Sequence, residues 1–153
     1  MVCVVFSLKG VRYAVDVVNV EEVIPLPAIT PVAKLPSFFC GMINLRGHAV
    51  PIMDLKNRLG MGVHLHVLSN DIVVIKVDGN ITGLIVDKVL AVVEIQEDQR
   101  IPQPRMNAGI DIQYIAGMAQ LDSGLTFLLN MDRILTMTEN AAWVDLALHS
   151  GEV

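Results

Sequence analysis

With 153 residues, 53% hydrophobic and only 18% charged, the chain holds enough apolar material for one ordinary domain or for two very small ones sharing an interface. A net charge of −5, a pI near 5.2 and the lack of any Lys/Arg run argue against a general nucleic-acid binder, which needs a basic face to displace counterions from phosphates. No apolar stretch reaches the ~18 residues of a membrane span and nothing resembles a signal peptide; Cys3 and Cys40 form no disulfide framework, so a reducing cytoplasmic setting is expected.

Strands dominate from the start of the chain. "VCVVFSL" (2–8) and "VRYAVDVVNVEEVI" (11–24) flank Lys9-Gly10, a hairpin signal, and the proline-rich loop "PLPAITPVAKLP" (25–36) follows. "GMINLRGHAVPIMDL" (41–55) is apolar, broken by Gly41, Gly47 and Pro51, with one cation, Arg46, in its middle. Pro51 marks an edge or the start of a strand, because proline cannot donate to a ladder. "DLKNRLG" (54–60) predicts a short helix closed by Gly60.

His64 and His66 would share one strand face, yet only Asp71 stands near enough to complete a metal site, so no metal is expected. Two further strands, "DIVVIKV" (71–77) and "ITGLIVDKVLAVVEI" (81–95), flank Asp78-Gly79-Asn80, and a second proline-bearing loop, "QEDQRIPQPRMNAG", spans 96–109. "TENAAWVDLALHS" (138–150) reads as a terminal helix capped by Thr138, with Trp143, Leu146 and Ala147 on one face, packing across a barrel.

The chain repeats itself. "YAVDVVNVEEVI" from Tyr13 lies over "LIVDKVLAVVEI" from Leu84, aligning Val15 with Val86 and Asp16 with Asp87. "FFCGMINLRGHAVPIMDLKNRL" from Phe38 lies over "YIAGMAQLDSGLTFLLNMDRIL" from Tyr114, aligning Gly41 with Gly117 and Arg46 with Asp122. Each half supplies about five short strands, too few to bury a large core alone. Two small barrels packed together solve that problem and leave a groove between them.

No catalytic constellation appears. Asp16 and Asp87 occupy matching places in the repeat and suit acceptance of backbone hydrogen bonds beside a strand, not paired acid–base work. Cys40 has no partner histidine in sequence to activate it. The phosphate-binding and hydrolase signatures GxxxxGK[ST], GxGxxG and GxSxG are absent. The chain reads as non-enzymatic, with no cofactor. Its low charge content leaves two readings of the apolar excess open, a large core or a partner-covered surface.

"GMINLRGHAVPIMDLKNRLG", preceded by "AITPVAKLPSFFC" and followed by "ITGLIVDKVLAVVEI", closely resembles the CheW family of chemotaxis coupling proteins, and the resemblance covers nearly the whole chain. It implies an all-β fold with minor helix: two tandem SH3-like five-stranded barrels around a shared core, with a C-terminal helix. Residues 1–153 would form one domain of two intertwined subdomains, roughly 12–70 and 71–135, with the first strand and the terminal helix packing across.

The resemblance also implies an adaptor between the cytoplasmic tip of methyl-accepting chemoreceptors and the regulatory domain of the histidine kinase CheA, cytoplasmic and recruited to receptor arrays. Neither a receiver domain nor a kinase ATP-binding portion is read in these residues, so the expectation is a coupling protein and not a fused relative or the kinase. Carried over residue by residue, the receptor-binding positions are Val20, Glu22, Val23 and Arg46. The kinase-binding positions are Met106 and, as a weaker assignment, His48 and Val50.

Gly41, Asn44, Gly47, Asp16 and Asp87 belong to the structural motif. A forked guanidinium suits directed recognition in a helix-binding groove. The alternatives are an Arg46 paired within the fold for structure and a Met106 folded back on its own barrel. A coupling paralogue of a pilus or developmental pathway, and more remotely an SH3-like nucleic-acid binder, are the competing functions.

Overall fold

Lys9-Gly10, Arg46-Gly47 and Asp78-Gly79 each take positive φ at both positions, 50° and 77°, 52° and 83°, and 51° and 82°. This is the two-residue type I′ turn, whose twist matches that of the strands it joins. In the computed structural model, which describes residues 1–33, 36–62, 66–102 and 112–135, these turns close three hairpins. They are β1 (Val2–Leu8) with β2 (Val11–Asp16), β4 (Phe39–Leu45) with β5 (His48–Asp54), and β6 (Asp71–Val77) with β7 (Asn80–Val86). A fourth hairpin joins β10 (Ile115–Leu121) to β11 (Gly124–Leu129). Strands β3 (Val20–Pro25), β8 (Lys88–Glu94) and β9 (Arg100–Ile101) and the one-turn helices α1 (Leu55–Arg58) and α2 (Met131–Ile134) complete the described elements. The terminal helix expected at 138–150 lies outside the described residues.

The strands form two sheets, ordered β3-β6-β7-β5-β4 and β8-β1-β2-β11-β10-β9. Matched by position in the repeat, the two orders are the same, with β9 added at one edge. This is the mostly-β, two-barrel architecture expected. The division at 12–70 and 71–135 does not describe the sheets, however. Hairpin β1–β2 sits in the sheet of β8–β11, and hairpin β6–β7 sits in that of β3–β5, so each half lends its hairpin to the other.

The exchange occurs where the sequence predicted single long strands. "VRYAVDVVNVEEVI" breaks after Asp16 into β2 and β3, which belong to different sheets, and "ITGLIVDKVLAVVEI" breaks at Asp87 into β7 and β8. Asp16 makes the first break: its Oδ1 accepts the Val18 N–H at 3.0 Å and caps a 3-10 turn over Val17–Asn19. Asp87 ties the second break to both neighbours. Its Oδ2 accepts the Lys9 backbone N–H at 2.7 Å, and its Oδ1 lies 2.5 Å from Lys56 Nζ.

The two aspartates are nevertheless not equivalent. Counted from the turns, Val4 pairs with Val15 as Val73 pairs with Leu84, so Asp16 answers to Ile85, two residues short of Asp87. A slip of two keeps every side chain on its own face, which is why alternation did not reveal it. In the other part of the repeat the match is residue for residue: Leu45 with His48 corresponds to Leu121 with Gly124, and Phe39 with Met53 to Ile115 with Leu129.

Three apolar clusters follow from this winding. One face of β1 and β6 (Val4, Phe6, Val73, Ile75) joins Tyr13, Leu84, α1 and α2 in a core shared by both sheets. Their opposite faces fill separate barrel interiors, Cys3 and Val5 with Ala119 and Leu128, and Ile72 and Val74 with Ile43 and Ile52. A strand buried on both faces reads as a continuous apolar run, as "VCVVF" and "DIVVI" do.

Arg58 fastens the halves together. Its guanidinium lies over the rings of Phe38 at 5.2 Å and Tyr114 at 5.0 Å, and it donates to the Tyr114 hydroxyl at 2.7 Å and the Ile134 carbonyl at 3.0 Å. Gly60 closes α1 at φ 86°, donating to the Asn57 carbonyl at 3.0 Å. Pro51 lies inside β5, between β4 and β7, where an edge or the start of a strand was expected. It fits because its partner Met42 turns both backbone groups to Thr30, and because the parallel ladder to β7 begins only at Ile52.

Candidate functional site

The Asn-Leu-Arg-Gly motif builds its own turn. Asn44 Oδ1 accepts the Gly47 N–H at 2.9 Å, bracing the β4–β5 hairpin. Arg46 at φ 52° is in the left-handed region, but Lys9 and Asp78 adopt it at the matching place in their turns. The backbone there is ordinary type I′ geometry, so the side chain, not strain, distinguishes Arg46.

Gly41, at φ 140°, has a different task. A Cβ there would lie 2.1 Å from the Thr30 carbonyl oxygen, so only glycine lets residue 30 bridge to β4. That bridge is a reciprocal pair of 2.9 Å hydrogen bonds between Thr30 and Met42.

The fold brings Arg46 to Glu22 on β3, with Nη2 2.6 Å from Oε1. The contact is ionic without the alignment of a good hydrogen bond, and Glu22 Oε1 is shielded from water. Arg46 is thus paired within the chain, as one alternative foresaw, but its side chain remains 71% exposed against 22% for Glu22. A pair with one partner so open to solvent contributes at most about 1 kcal/mol, too little to be the reason for the arginine.

Beside the pair opens a cleft of about 210 Å³. Glu21, Glu22, Arg46 and His48 form its polar rim, and Leu45, Val50, Val74 and Ile81 its apolar lining. Val23 points outward at 40% exposure from the same strand, and Val20 is half-buried against the shared core. The four residues expected to meet the receptor therefore lie on β3 and the neighbouring turn.

The residues expected to meet the kinase fare differently. His48 is exposed but borders the same cleft as Arg46. Val50 is 2% exposed: on β5 its side chain alternates inward with Ile52, and it reaches the surface only as part of the floor of that same cleft. Met106 lies outside the described residues. Val74 and Ile81 were missed because they come from the second half of the chain and reach this barrel only through the exchanged hairpin. Their place in an alternating strand was readable, but the barrel they fill was not.

Reactive chemistry is not favoured by the environment. Burial, then the nearby Asp54 carboxylate, pushes the Cys40 thiol up to about 12, and burial and Asp16 push Cys3 up to about 11. Both groups stay protonated and are poor nucleophiles. His66 Nε2 lies 3.1 Å from Asp54 Oδ2, and among the described residues no group of three His, Cys, Asp or Glu side chains is placed to hold a metal. His64 lies outside the described residues. A larger cavity, about 270 Å³ between Met1, Arg100 and Asp132, contains Asp16 but no part of the Asn-Leu-Arg-Gly turn. No helix among the described residues is long and apolar enough to cross a membrane.

Comparison with known proteins places these features in a family context. Residues 2–139 match the CheW-like domain. The chain is 31% identical to the chemotaxis protein CheW of Thermotoga maritima, covering 85% of this chain and 84% of that one. It is 26% identical to CheW of Klebsiella aerogenes over 90% and 82% of the two chains. Protein FrzA of Myxococcus xanthus is also 26% identical, over 90% and 86%. In structure the chain resembles the scaffolding protein TtCheW of Thermoanaerobacter tengcongensis, with a TM-score of 0.81, 33% identity, and 90% and 94% of the two chains covered.

Proposed function

The chain belongs to the CheW-like family, one of chemotaxis scaffolds rather than enzymes, and from that premise we propose that it couples methyl-accepting chemoreceptors to the histidine kinase CheA. It would do so on the cytoplasmic side, at the receptor array. The carrying observation is the cleft of the Asn-Leu-Arg-Gly turn, where an exposed guanidinium stands at the rim of an apolar floor beside the outward Val23.

A helical receptor tip laid there buries apolar side chains against the lining, while Arg46 and Glu22 set its orientation and register. Because Arg46 is only loosely held by Glu22, a partner carboxylate can take it over with little loss to the fold. The position of His48 on the same rim favours a receptor contact for it over the kinase contact expected from sequence. Met106 is retained as a kinase contact, since an adaptable thioether suits a partner's pocket.

Pull-downs of the purified chain against a receptor-tip hairpin and against a CheA regulatory domain, performed separately, test the proposal. Both should bind. Arg46→Glu should abolish capture of the receptor hairpin, retain capture of the kinase domain and leave the circular dichroism unchanged. Retained receptor capture would remove the cleft from the receptor interface, and failure of the parent chain to capture either partner would refute the adaptor reading. A paralogue of a different chemosensory pathway is kept in view by the likeness to FrzA; capture of a receptor and kinase from such a pathway in preference to the chemotaxis pair would favour it.

A further inference from the structure

The Arg46 cleft opens between two walls. Strand β3 supplies Glu21 and Glu22 on one side, and the β4–β5 hairpin supplies Leu45, Arg46, His48 and Val50 on the other. Val74 and Ile81, from the exchanged hairpin, lie between them in the sheet. The volume of about 210 Å³ limits what can enter. A cavity of roughly 150 Å³ takes one benzene, so there is room for one large apolar side chain and not for two.

The apolar residues of the cleft do not contribute alike. Val50 and Val74, 2% and 0% exposed, are packed in the barrel interior. Leu45 and Ile81 are only half-buried, so an entering side chain would remove most apolar surface from water at these two.

The second barrel separates the two. Register carries Glu22 onto Ala91, since they face Val74 and Val5 across their ladders. Leu45 falls on Leu121 and Val74 on Val5, so this half of the floor is the same in both barrels. Val50 falls on Thr126, and Ile81 falls on Arg12. Arg12 reaches over Gly124, the counterpart of His48, and so puts a charged side chain where the first barrel has its apolar opening. Of the two positions that differ, Ile81 is the one an incoming group can touch, because Val50 is buried beneath it.

We infer that the cleft seats a single large apolar side chain of the receptor-tip helix, and that Ile81 is the specificity-determining residue that admits it. The inference rests on the receptor reading of this cleft and names what the receptor must bring. Its recognition element is an apolar anchor with a carboxylate about one helical turn away to meet Arg46. An anchor in a water-excluding pocket carries a disproportionate share of the binding energy, while the rim fixes direction.

Titration of the purified chain with a receptor-tip hairpin supplies the affinity to compare. Ile81→Arg copies the second barrel, whose frame already carries an arginine at that place. Its circular dichroism should be unchanged and its affinity for the hairpin should fall about tenfold or more. Ile81→Ala widens the opening and should weaken binding less. Alanine substitution of the hairpin's apolar residues, one at a time, should single out one position. A larger side chain there should restore affinity for Ile81→Ala and not improve it for the parent chain.

If Ile81→Arg loses its native circular dichroism, Ile81→Ala and the hairpin scan decide. A folded Ile81→Arg that binds no more weakly than the parent, or losses spread evenly along the hairpin, would overturn the inference. With Arg46→Glu still abolishing binding, the receptor reading would stand without it. A parent chain that binds no hairpin would overturn both.

Discussion

One barrel carries Arg46 at its β4–β5 turn, and the other carries Asp122 at the matching β10–β11 turn. Around Arg46 stand Glu22, His48, Val50 and Ile81; around Asp122 the matching positions hold Ala91, Gly124, Thr126 and Arg12. In the second barrel Arg12 reaches over the turn, its Nε 3.9 Å from where a Cβ on Gly124 would sit, and occupies the place that Ile81 lines in the first. The backbone thus asks for a turn at both ends but for a cation at neither. Among the described residues the first turn carries a guanidinium over an apolar-floored cleft where the second carries a carboxylate, so the combination belongs to the side chains and not to the duplicated frame.

The sharpest way to break this comparison is at its glycines. Gly41 and Gly117 occupy the same bulge, yet Gly41 is at φ 140° against the Thr30 carbonyl, whereas a Cβ on Gly117 meets nothing closer than 3.5 Å. Gly41→Ala should cost about 3–4 kcal/mol, and Gly117→Ala less than about 1 kcal/mol, both read from urea unfolding. Equal costs would mean that the Thr30 bridge is not what holds the motif strand.

Next in size is the link at the second crossing. Asp87 serves both Lys56, whose side chain is 11% exposed, and the Lys9 backbone, while the position matching Lys56 holds the exposed Asp132. Asp87→Ala should destabilise by about 2–3 kcal/mol, and Asp132→Ala by less than about 0.5 kcal/mol. Thermal unfolding of the two variants side by side checks the asymmetry.

The smallest effect has the opposite sign. Thr82 is fully buried with its hydroxyl unpaired among the described residues, where the other barrel places Tyr13 in the shared core. Thr82→Val keeps the shape and removes the orphan group, so stability should rise by up to about 1 kcal/mol. A loss of stability would show that the hydroxyl is solvated or bonded after all.

Several features were legible because they are local. Glycine at the second turn position gave away the hairpins, apolar runs identified strands buried on both faces, and the duplication showed in "GMINLRG" and "GMAQLDSG". The motif likewise announced its turn, because the Asn44–Gly47 hydrogen bond and the positive φ of Arg46 and Gly47 all fall within four residues. His48 was singled out but assigned to another partner, and Val50 was placed on the surface when its alternation with Ile52 sends it inside.

The amino-acid sequence by itself determined the strands, the tight turns and the repeat, since each depends on neighbours within one turn or one strand. The tertiary structure alone decided which hairpin enters which barrel, that Asp16 and Asp87 are crossings two residues out of step, and that Glu22 meets Arg46 above a floor of Val74 and Ile81. The physical reason is the two-residue period of a β-strand. Alternation says which face is apolar, but it is blind to a slip of two and to which of two similar interiors that face will fill.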